Sequence, residues 1–213
     1  MIVEVEPARG AGLDADRRFI AERVAASNAV GERFFNEHAS TIAACSAAMA
    51  DRFFVGATLF IFGSGPHATD AQHNAVEFVH PVLPGCRALP ALSLTNDIAT
   101  VTGMIQGDDA DDVFAHQLRV LGRPGDIALG FAHAPLHASI ARGLEAGANS
   151  GMLTIAMTSG DIPAGSTRAD FGLHVPGMDR GTAHELHLAS YHMLWELVHI
   201  VLNHRGIGTG GGE

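Results

Sequence analysis

Basic residues are scarce in this sequence. Its 213 residues include 13 Lys and Arg against 23 Asp and Glu, which gives a formal net charge of −10 with histidine neutral. A protein that neutralises a phosphate backbone needs clustered Lys and Arg side chains. The composition therefore argues against nucleic acid as a direct ligand.

Cysteines and long apolar runs are also scarce. The two cysteines, Cys45 and Cys86, lack metal-type spacing and are typical of reduced thiols in a cytosolic protein. No apolar run approaches the roughly 20 residues that span a bilayer. The first residues, MIVEVEPARGAG, lack the charged-then-apolar layout of a signal peptide. We therefore expect a cytoplasmic protein that does not enter the membrane.

Histidine, in contrast, is abundant, with 13 residues in the chain. A composition that is 47% hydrophobic is enough to bury a sizeable core in one domain. The excess of histidine has two explanations. It is either drift in a chain rich in Ala and poor in Lys, or it reflects metal or proton chemistry, and the positions of the histidines must decide between them.

Short apolar runs alternate with helical patterns along the chain. This alternation predicts an α/β fold with a doubly wound, parallel, five-stranded sheet and flanking helices. Two further helices at the start of the chain predict an N-terminal helical hairpin. The predicted strands are 57–62, 89–94, 126–131, 152–158 and 171–175, and the predicted helices are 13–27, 30–53, 67–79, 97–105, 111–121, 137–148 and 181–204.

The organisation of the chain is simple, because it contains no internal repeat and no linker. We expect a flexible lead over residues 1–11, a single domain over 12–205 and a disordered Gly-rich tail over 206–213. In doubly wound sheets, ligands bind at the carboxyl ends of the strands. The loops at 63–68, 95–97 and 131–137 are therefore the expected binding site.

Two pairs of potential metal ligands lie on predicted helices. His73 and Glu77 are one turn apart, and His184 and His192 are a little over two turns apart, so each pair shares a helix face. Three histidines and one glutamate would suit Zn²⁺, or Fe²⁺, Ni²⁺ or Co²⁺. The alternative is that these residues belong to solvated helix faces, which is the commoner origin of such spacing.

The stretch Gly63–Glu77 carries a more specific motif. It reads GSGPHATDAQHNAVE, and its Asp-Ala-Gln-His segment with a Glu four residues on resembles the loop and helix of phosphoheptose isomerases in the sugar-isomerase (SIS) domain family. The segments 94–117 and 184–192 are similar to later blocks of that family. The resemblance covers about residues 15–205. It implies an SIS-type fold and a homotetramer whose active sites lie between subunits.

The resemblance also implies a ligand set and a mechanism. The family's metal ligands fall on His73, Glu77, His184 and His192, and Zn²⁺ is the expected ion; His184 stands where the family has Gln. Glu77 would be the base and His192 the acid that move a proton between C1 and C2 of a sugar through an enediol.

The phosphate loop departs from the family pattern. Where phosphoheptose isomerases have Ser-Thr-Ser-Gly-Asn-Ser, residues 132–137 read AHAPLH, and in the first loop the family's Asn, second Gly and Ser are Ser64, Pro66 and His67. Either histidines bind an anion as imidazolium groups, or the pocket serves another ligand. The candidate substrate-binding residues are Ser64, His67, Thr95, Asp97, His133 and His137.

Thr95 and Asp97 have a second interpretation, because either a sugar hydroxyl contact or a helix N-cap explains them. The leading functional hypothesis is a metal-assisted aldose–ketose isomerase of a sugar phosphate, similar to sedoheptulose 7-phosphate isomerase. The alternative is a non-catalytic SIS-domain protein that binds a transition metal or small ligand as an accessory factor or scaffold.

Overall fold

The structure is a computed structural model that describes residues 12–206, apart from 82, 84, 108, 164 and 178. The predicted lead, and the predicted tail beyond Gly206, lie outside the described residues. The helices are α1 Leu13–Phe54, α2 Pro66–Val79, α3 Ile98–Gln106, α4 Val113–Leu121, α5 Ala138–Asn149 and α6 Arg180–His204. The strands are β1 Leu59–Gly63, β2 Ala91–Ser93, β3 Ile127–His133, β4 Leu153–Ser159 and β5 Phe171–Val175, and a 3₁₀ turn, Ala110–Asp112, precedes α4.

The strands form one parallel sheet in the order β2-β1-β3-β4-β5. The predicted α/β class and five-stranded sheet are confirmed. The chain leaves β1 toward β2 on one side and later returns to β3 on the other side. The gap between the carboxyl ends of β1 and β3 is therefore the switch point at which doubly wound sheets bind ligands.

The N-terminal helix α1 is continuous over 42 residues, so the predicted helical hairpin is wrong. Residues 28 and 29, where the hairpin would turn, are Asn and Ala, and no proline or glycine interrupts the sequence there. Gly31 follows, but one glycine inside a helix costs only about 1 kcal/mol relative to alanine and does not end it. The physical signal for a turn is therefore weak, and the helix continues through it.

The chain divides into two compact units, Met1–Glu37 and His38–Glu213. The described part of the first unit is helical, and the side chains of Leu13, Phe19 and Ile20 are exposed. The second unit contains the remainder of α1 and the whole sheet. The single domain over 12–205 stays a prediction.

The two faces of the sheet bury different helices. On one face, the ring of Phe62 stacks on Phe114 of α4, and a Cβ on Gly143 of α5 would lie 2.7 Å from the Phe62 ring. On the other face, Phe131 packs edge-on against Tyr191 of α6 at 6.0 Å between ring centroids. The second face, where α2 also packs against α6, holds most of the histidines discussed below.

The two cysteines are both free thiols in the structure. Cys45 is buried, and burial raises the pKa of its thiol to about 12, so it is an inert core residue. Among the described residues, no helix is both long enough and apolar enough to cross a membrane.

Candidate functional site

Two glycines shape the turn that joins β1 to α2. A Cβ on Gly63 would lie 2.6 Å from the main-chain oxygen of His67, and Gly65 has φ +61°, which favours glycine. These glycines let α2 begin directly against the end of β1. His67, in the first turn of α2, is thereby brought to the carboxyl edge of the sheet.

A cavity of about 590 Å³ lies at the switch point between β1 and β3. Three helix N-termini reach its wall, because His67 is in the first turn of α2, His137 caps α5 and Arg180 begins α6. Helix N-termini carry partial positive charge and unpaired N–H groups, and Arg180 adds a full charge. The cavity is therefore electrostatically suited to an anion.

His73, Glu77 and His192 form one group where α2 meets α6. His73 Nε2 lies 3.1 Å from Glu77 Oε1, and one potential ligand atom from each of the three residues lies within 4.8 Å of the others. The His73 side chain is 42% exposed and that of Glu77 is 12% exposed, so the group is open to a ligand from one side. Two imidazoles and a carboxylate are a typical donor set for catalytic zinc.

Two aromatic side chains of α6 hold this group in place. The Tyr191 hydroxyl lies 2.8 Å from His73 Nδ1, and the Trp195 indole N–H donates to the main-chain oxygen of Glu77 at 2.8 Å. In the neutral tautomer with its hydrogen on Nε2, His73 donates to the Glu77 carboxylate and accepts from the Tyr191 hydroxyl at Nδ1. The orientation of the His73 ring is thus fixed from both ends.

Asp70 is the centre of a second group. Its Oδ2 lies 2.9 Å from His67 Nδ1 and 3.3 Å from His184 Nδ1. The Asp70 side chain is only 3% exposed. His67 and His184 both line the cavity, so this group forms part of its wall.

The four predicted metal ligands therefore lie in two places. The structure brings together His73, Glu77 and His192, but it places His184 against Asp70. The reason is the helix repeat, since eight residues separate His184 from His192 by about 12 Å along α6. Sharing a helix face does not make two residues neighbours.

The six predicted substrate-binding residues also separate into two sets. Ser64, His67, His133 and His137 line the cavity. Thr95 and Asp97 are not among the described residues of its wall.

Hydrogen bonds explain Thr95 and Asp97 locally. Thr95 Oγ1 lies 2.7 Å from Ser93 Oγ, and Asp97 caps α3 by accepting from the main-chain N–H groups of Ala99 and Thr100. Hydrogen bonds, chiefly from the Thr100 hydroxyl, lower the pKa of Asp97. The observed contacts match the N-cap interpretation of Asp97.

Two observations bear on whether the histidines of the β3 loop can carry charge. Burial lowers the pKa of His133, and Arg180 and His67 lower it further. His137 Nδ1 accepts from the main-chain N–H of Ser139 at 3.3 Å, which requires an unprotonated nitrogen at the N-cap of α5. Both observations disfavour the interpretation in which these residues bind an anion as imidazolium groups.

His187 is a fully buried histidine beside the Asp70 group. Its Nε2–H donates to the main-chain oxygen of Thr158 at 3.1 Å, and its ring centroid lies 5.9 Å from that of His67. Burial, partly opposed by the Thr158 bond, lowers the pKa of His187 to about 4. This side chain is neutral at physiological pH.

Sequence reasoning missed three residues of the site. Asp70 belongs to the Asp-Ala-Gln-His motif but was not predicted as a site residue. Its position three residues after His67 puts both side chains on one helix face, and this spacing was the available signal. Arg180 carries positive charge at a helix N-terminus, where the helix dipole disfavours a cation. This unfavourable position could have identified Arg180 as a site residue from the sequence. Tyr191 gave no signal, because its role depends on the packing of α6 against α2.

Comparisons with known proteins agree with this architecture. The sequence profile of the SIS domain matches residues 24–159. The chain is 33% identical to the phosphoheptose isomerase of Thermodesulfovibrio yellowstonii over 173 residues, which cover 81% of this chain and 86% of the relative. It is 31% identical to the phosphoheptose isomerase of a Roseiflexus species over 185 residues, with 87% and 94% coverage.

Among solved structures, a phosphoheptose isomerase from Francisella tularensis superposes with a TM-score of 0.79 at 25% identity. The superposition covers 86% of this chain and 97% of the other. The similarity therefore extends over nearly the whole fold of these proteins.

Proposed function

This chain belongs to the phosphoheptose isomerase family of SIS-domain proteins, and from that premise we propose that it interconverts an aldose and a ketose sugar phosphate of the sedoheptulose 7-phosphate type. The observation that supports this most directly is the group of His73, Glu77 and His192 at the α2–α6 contact. It places a carboxylate and an imidazole, the two groups that a proton shuttle needs, within reach of one ligand.

Glu77 is the base and His192 the acid in this proposal. Glu77 takes the proton from C2 of the aldose while His192 protonates the oxygen at C1, which gives an enediol. The hydroxyl at C2 then returns a proton to His192, and the proton held by Glu77 goes to C1, which gives the ketose and restores both side chains. His73 keeps one oxygen of the Glu77 carboxylate occupied by a hydrogen bond of 3.1 Å.

A divalent transition metal fits the same group. Its donor set of two imidazoles and one carboxylate suits zinc best among the divalent ions considered. When bound by His73, Glu77 and His192, such an ion would polarise the sugar oxygens. His184, the fourth ligand expected from the resemblance, contacts Asp70 instead.

The cavity, whose described wall does not include His73, Glu77 or His192, would hold the phosphate at the other end of the substrate. Arg180 and the N-termini of three helices line the cavity and supply positive potential, although the hydroxyls of the usual phosphate loop are missing from residues 132–137. A sugar phosphate would therefore be held by Arg180 and main-chain N–H groups rather than by serines.

One observation favours the alternative of a non-catalytic binding protein. Four residues of the cavity wall near β3 offer no side-chain hydrogen bond to a sugar, namely Phe131, Ala132, Ala134 and Pro135. In that alternative, the same pocket and histidines would bind a small ligand or metal without turnover.

The proposed assembly is a homotetramer in the cytoplasm. Apolar side chains on α2 and α6 are exposed in the single chain, including Val76 (50%) and Ile200 (47%). Burial of these side chains between subunits would stabilise an oligomer. Light scattering coupled to size exclusion should give a mass about four times the 22.3 kDa of one chain.

The function is tested by turnover of sedoheptulose 7-phosphate by zinc-loaded protein. The variants Glu77→Gln and His192→Asn should lose at least about a hundredfold in kcat/KM, the range expected when a general acid or base is removed. Glu196→Gln and His204→Asn are matched controls, because both residues are exposed on α6, and they should retain activity.

Two results would contradict the isomerase proposal. One is the absence of turnover by zinc-loaded wild-type protein. If that protein still binds zinc, the result favours the binding-protein alternative. The other is turnover that survives both substitutions.

A further inference from the structure

Two departures from the family pattern meet on one buried carboxylate. His67 stands where the resembling isomerases have Ser, and His184 stands where they have Gln. These positions lie on different helices, 117 residues apart, yet both imidazoles face Asp70 Oδ2, at 2.9 and 3.3 Å. Two histidines that depart from the family pattern on different helices thus meet in a single cluster.

The distances in this cluster suit a metal ion. One potential ligand atom from each of His67, Asp70 and His184 lies within 4.8 Å of the others. A tetrahedral ion with bonds of about 2.0–2.1 Å separates its ligand atoms by about 3.4 Å. The separations from Asp70 Oδ2, 2.9 Å to His67 and 3.3 Å to His184, are close to this value, and the ligand atoms of the two imidazoles lie within 4.8 Å of each other.

The burial of Asp70 adds a second argument. A buried carboxylate is costly unless a cation or several hydrogen bonds compensate it. Within the described part of the chain, no lysine or arginine pairs with Asp70, and its side chain, 3% exposed, is met by two imidazoles. An ion would supply the missing positive charge.

Neighbouring polar groups also lack partners. His187, one turn from His184 on α6, has a buried Nδ1 without a hydrogen bond. Asn74, one turn from Asp70 on α2, has a buried amide without one. Neither group has a hydrogen-bond partner among the residues that the structure describes. Buried polar atoms are rarely left unpaired. We therefore expect a bound polar species, such as a hydrated metal ion, near this cluster.

We propose that His67, Asp70 and His184 form a second site for a divalent transition metal, separate from the group of His73, Glu77 and His192. The spacing along α2, six residues from His67 to His73, sets the two groups about 9 Å apart along that helix. Because His67 and His184 line the cavity, the open coordination position of this ion faces it. The ion would also place positive charge beside a loop, 132–137, that has no hydroxyl.

The test is the number of metal ions that the folded full-length protein binds. Metal-free protein is titrated with Co²⁺, with calorimetry for the stoichiometry and visible absorption for the ligand field, and zinc is counted by elemental analysis after desalting. Wild-type protein should bind two ions per chain. His67→Ser and His184→Gln should each bind one, and His192→Asn should retain the ion at the Asp70 cluster.

The two diagnostic variants restore residues that the resembling isomerases carry, so they should fold, which circular dichroism and thermal melting will verify. His116→Ser and His204→Gln are matched controls on exposed helix positions and should still bind two ions. A single ion in wild-type protein that survives His67→Ser and His184→Gln would overturn the proposal, as would two ions in both variants. Because the measurement is stoichiometry, a failure of the isomerase assay would leave this result unaffected.

Discussion

His187, a buried histidine on α6, makes stability depend on pH in a calculable way. His187 is fully buried, and its pKa of about 4 in the folded protein lies below the usual value of 6.5. Below pH 6.5 the unfolded chain binds a proton on this imidazole, whereas the folded protein does so only near pH 4. Lowering the pH therefore favours unfolding across this window. The stability is fully present above pH 6.5 and is lost as pH falls to 4.

The magnitude follows from the two pKa values. Each unit of difference corresponds to about 1.4 kcal/mol, so the whole shift represents about 3 kcal/mol, of which about 2 kcal/mol is lost between pH 7 and pH 4.5. This loss comes on top of the titration of the other histidines and the carboxylates. A variant without the imidazole is needed to isolate it.

His187→Gln is that variant, because its amide can still donate to the main-chain oxygen of Thr158 but does not titrate. Urea unfolding of metal-free protein, followed by circular dichroism at pH 7 and 4.5, gives the free energy of unfolding of both proteins. Wild-type protein should lose about 2 kcal/mol more than the variant over this range. Equal losses in the two proteins would refute the reasoning that burial holds His187 neutral.

Three further substitutions test other contacts. Tyr191→Phe removes the hydroxyl that orients His73, so cobalt titration should show the affinity of that metal group reduced by about tenfold or more, and unchanged affinity would contradict this positioning role. Gly143→Ala places a methyl group against the ring of Phe62 and should destabilise the protein by about 1–3 kcal/mol, seen as a lower melting temperature; an unchanged one would mean that the ring moves freely. Asp126→Ala leaves two main-chain N–H groups, each 2.8 Å from the carboxylate, without their acceptor and should cost about 2 kcal/mol in urea unfolding, whereas a cost near zero would show that water replaces it.

The arrangement of strands and helices was predictable from the sequence because it depends on local patterns. The fifth strand, Phe171–Val175, matches its prediction at both ends, and most other ends differ by one or two residues. The predicted helical hairpin is wrong for a local reason as well, since no strong helix breaker separates residues 27 and 30. Buried parallel strands produce continuous apolar runs, and a single sequence shows such runs directly.

The candidate site was predictable only in part. The pair His73 and Glu77 lies one turn apart on a helix, and a spacing of four guarantees that the two side chains meet. His184 and His192 lie on one face of α6, but the distance between them along the helix axis keeps their side chains apart. Spacing within one helix therefore predicted the contact between His73 and Glu77, but it could not predict which residues His184 and His192 contact.

The sequence by itself determined the fold class, the family resemblance and the residue types available for chemistry, because these depend on local patterns and motifs. Only the tertiary structure decided which histidines act together. The packing of α6 on α2 brings His192 to His73 and His184 to Asp70. Contacts between distant segments depend on how helices pack, and no periodicity within one segment encodes that.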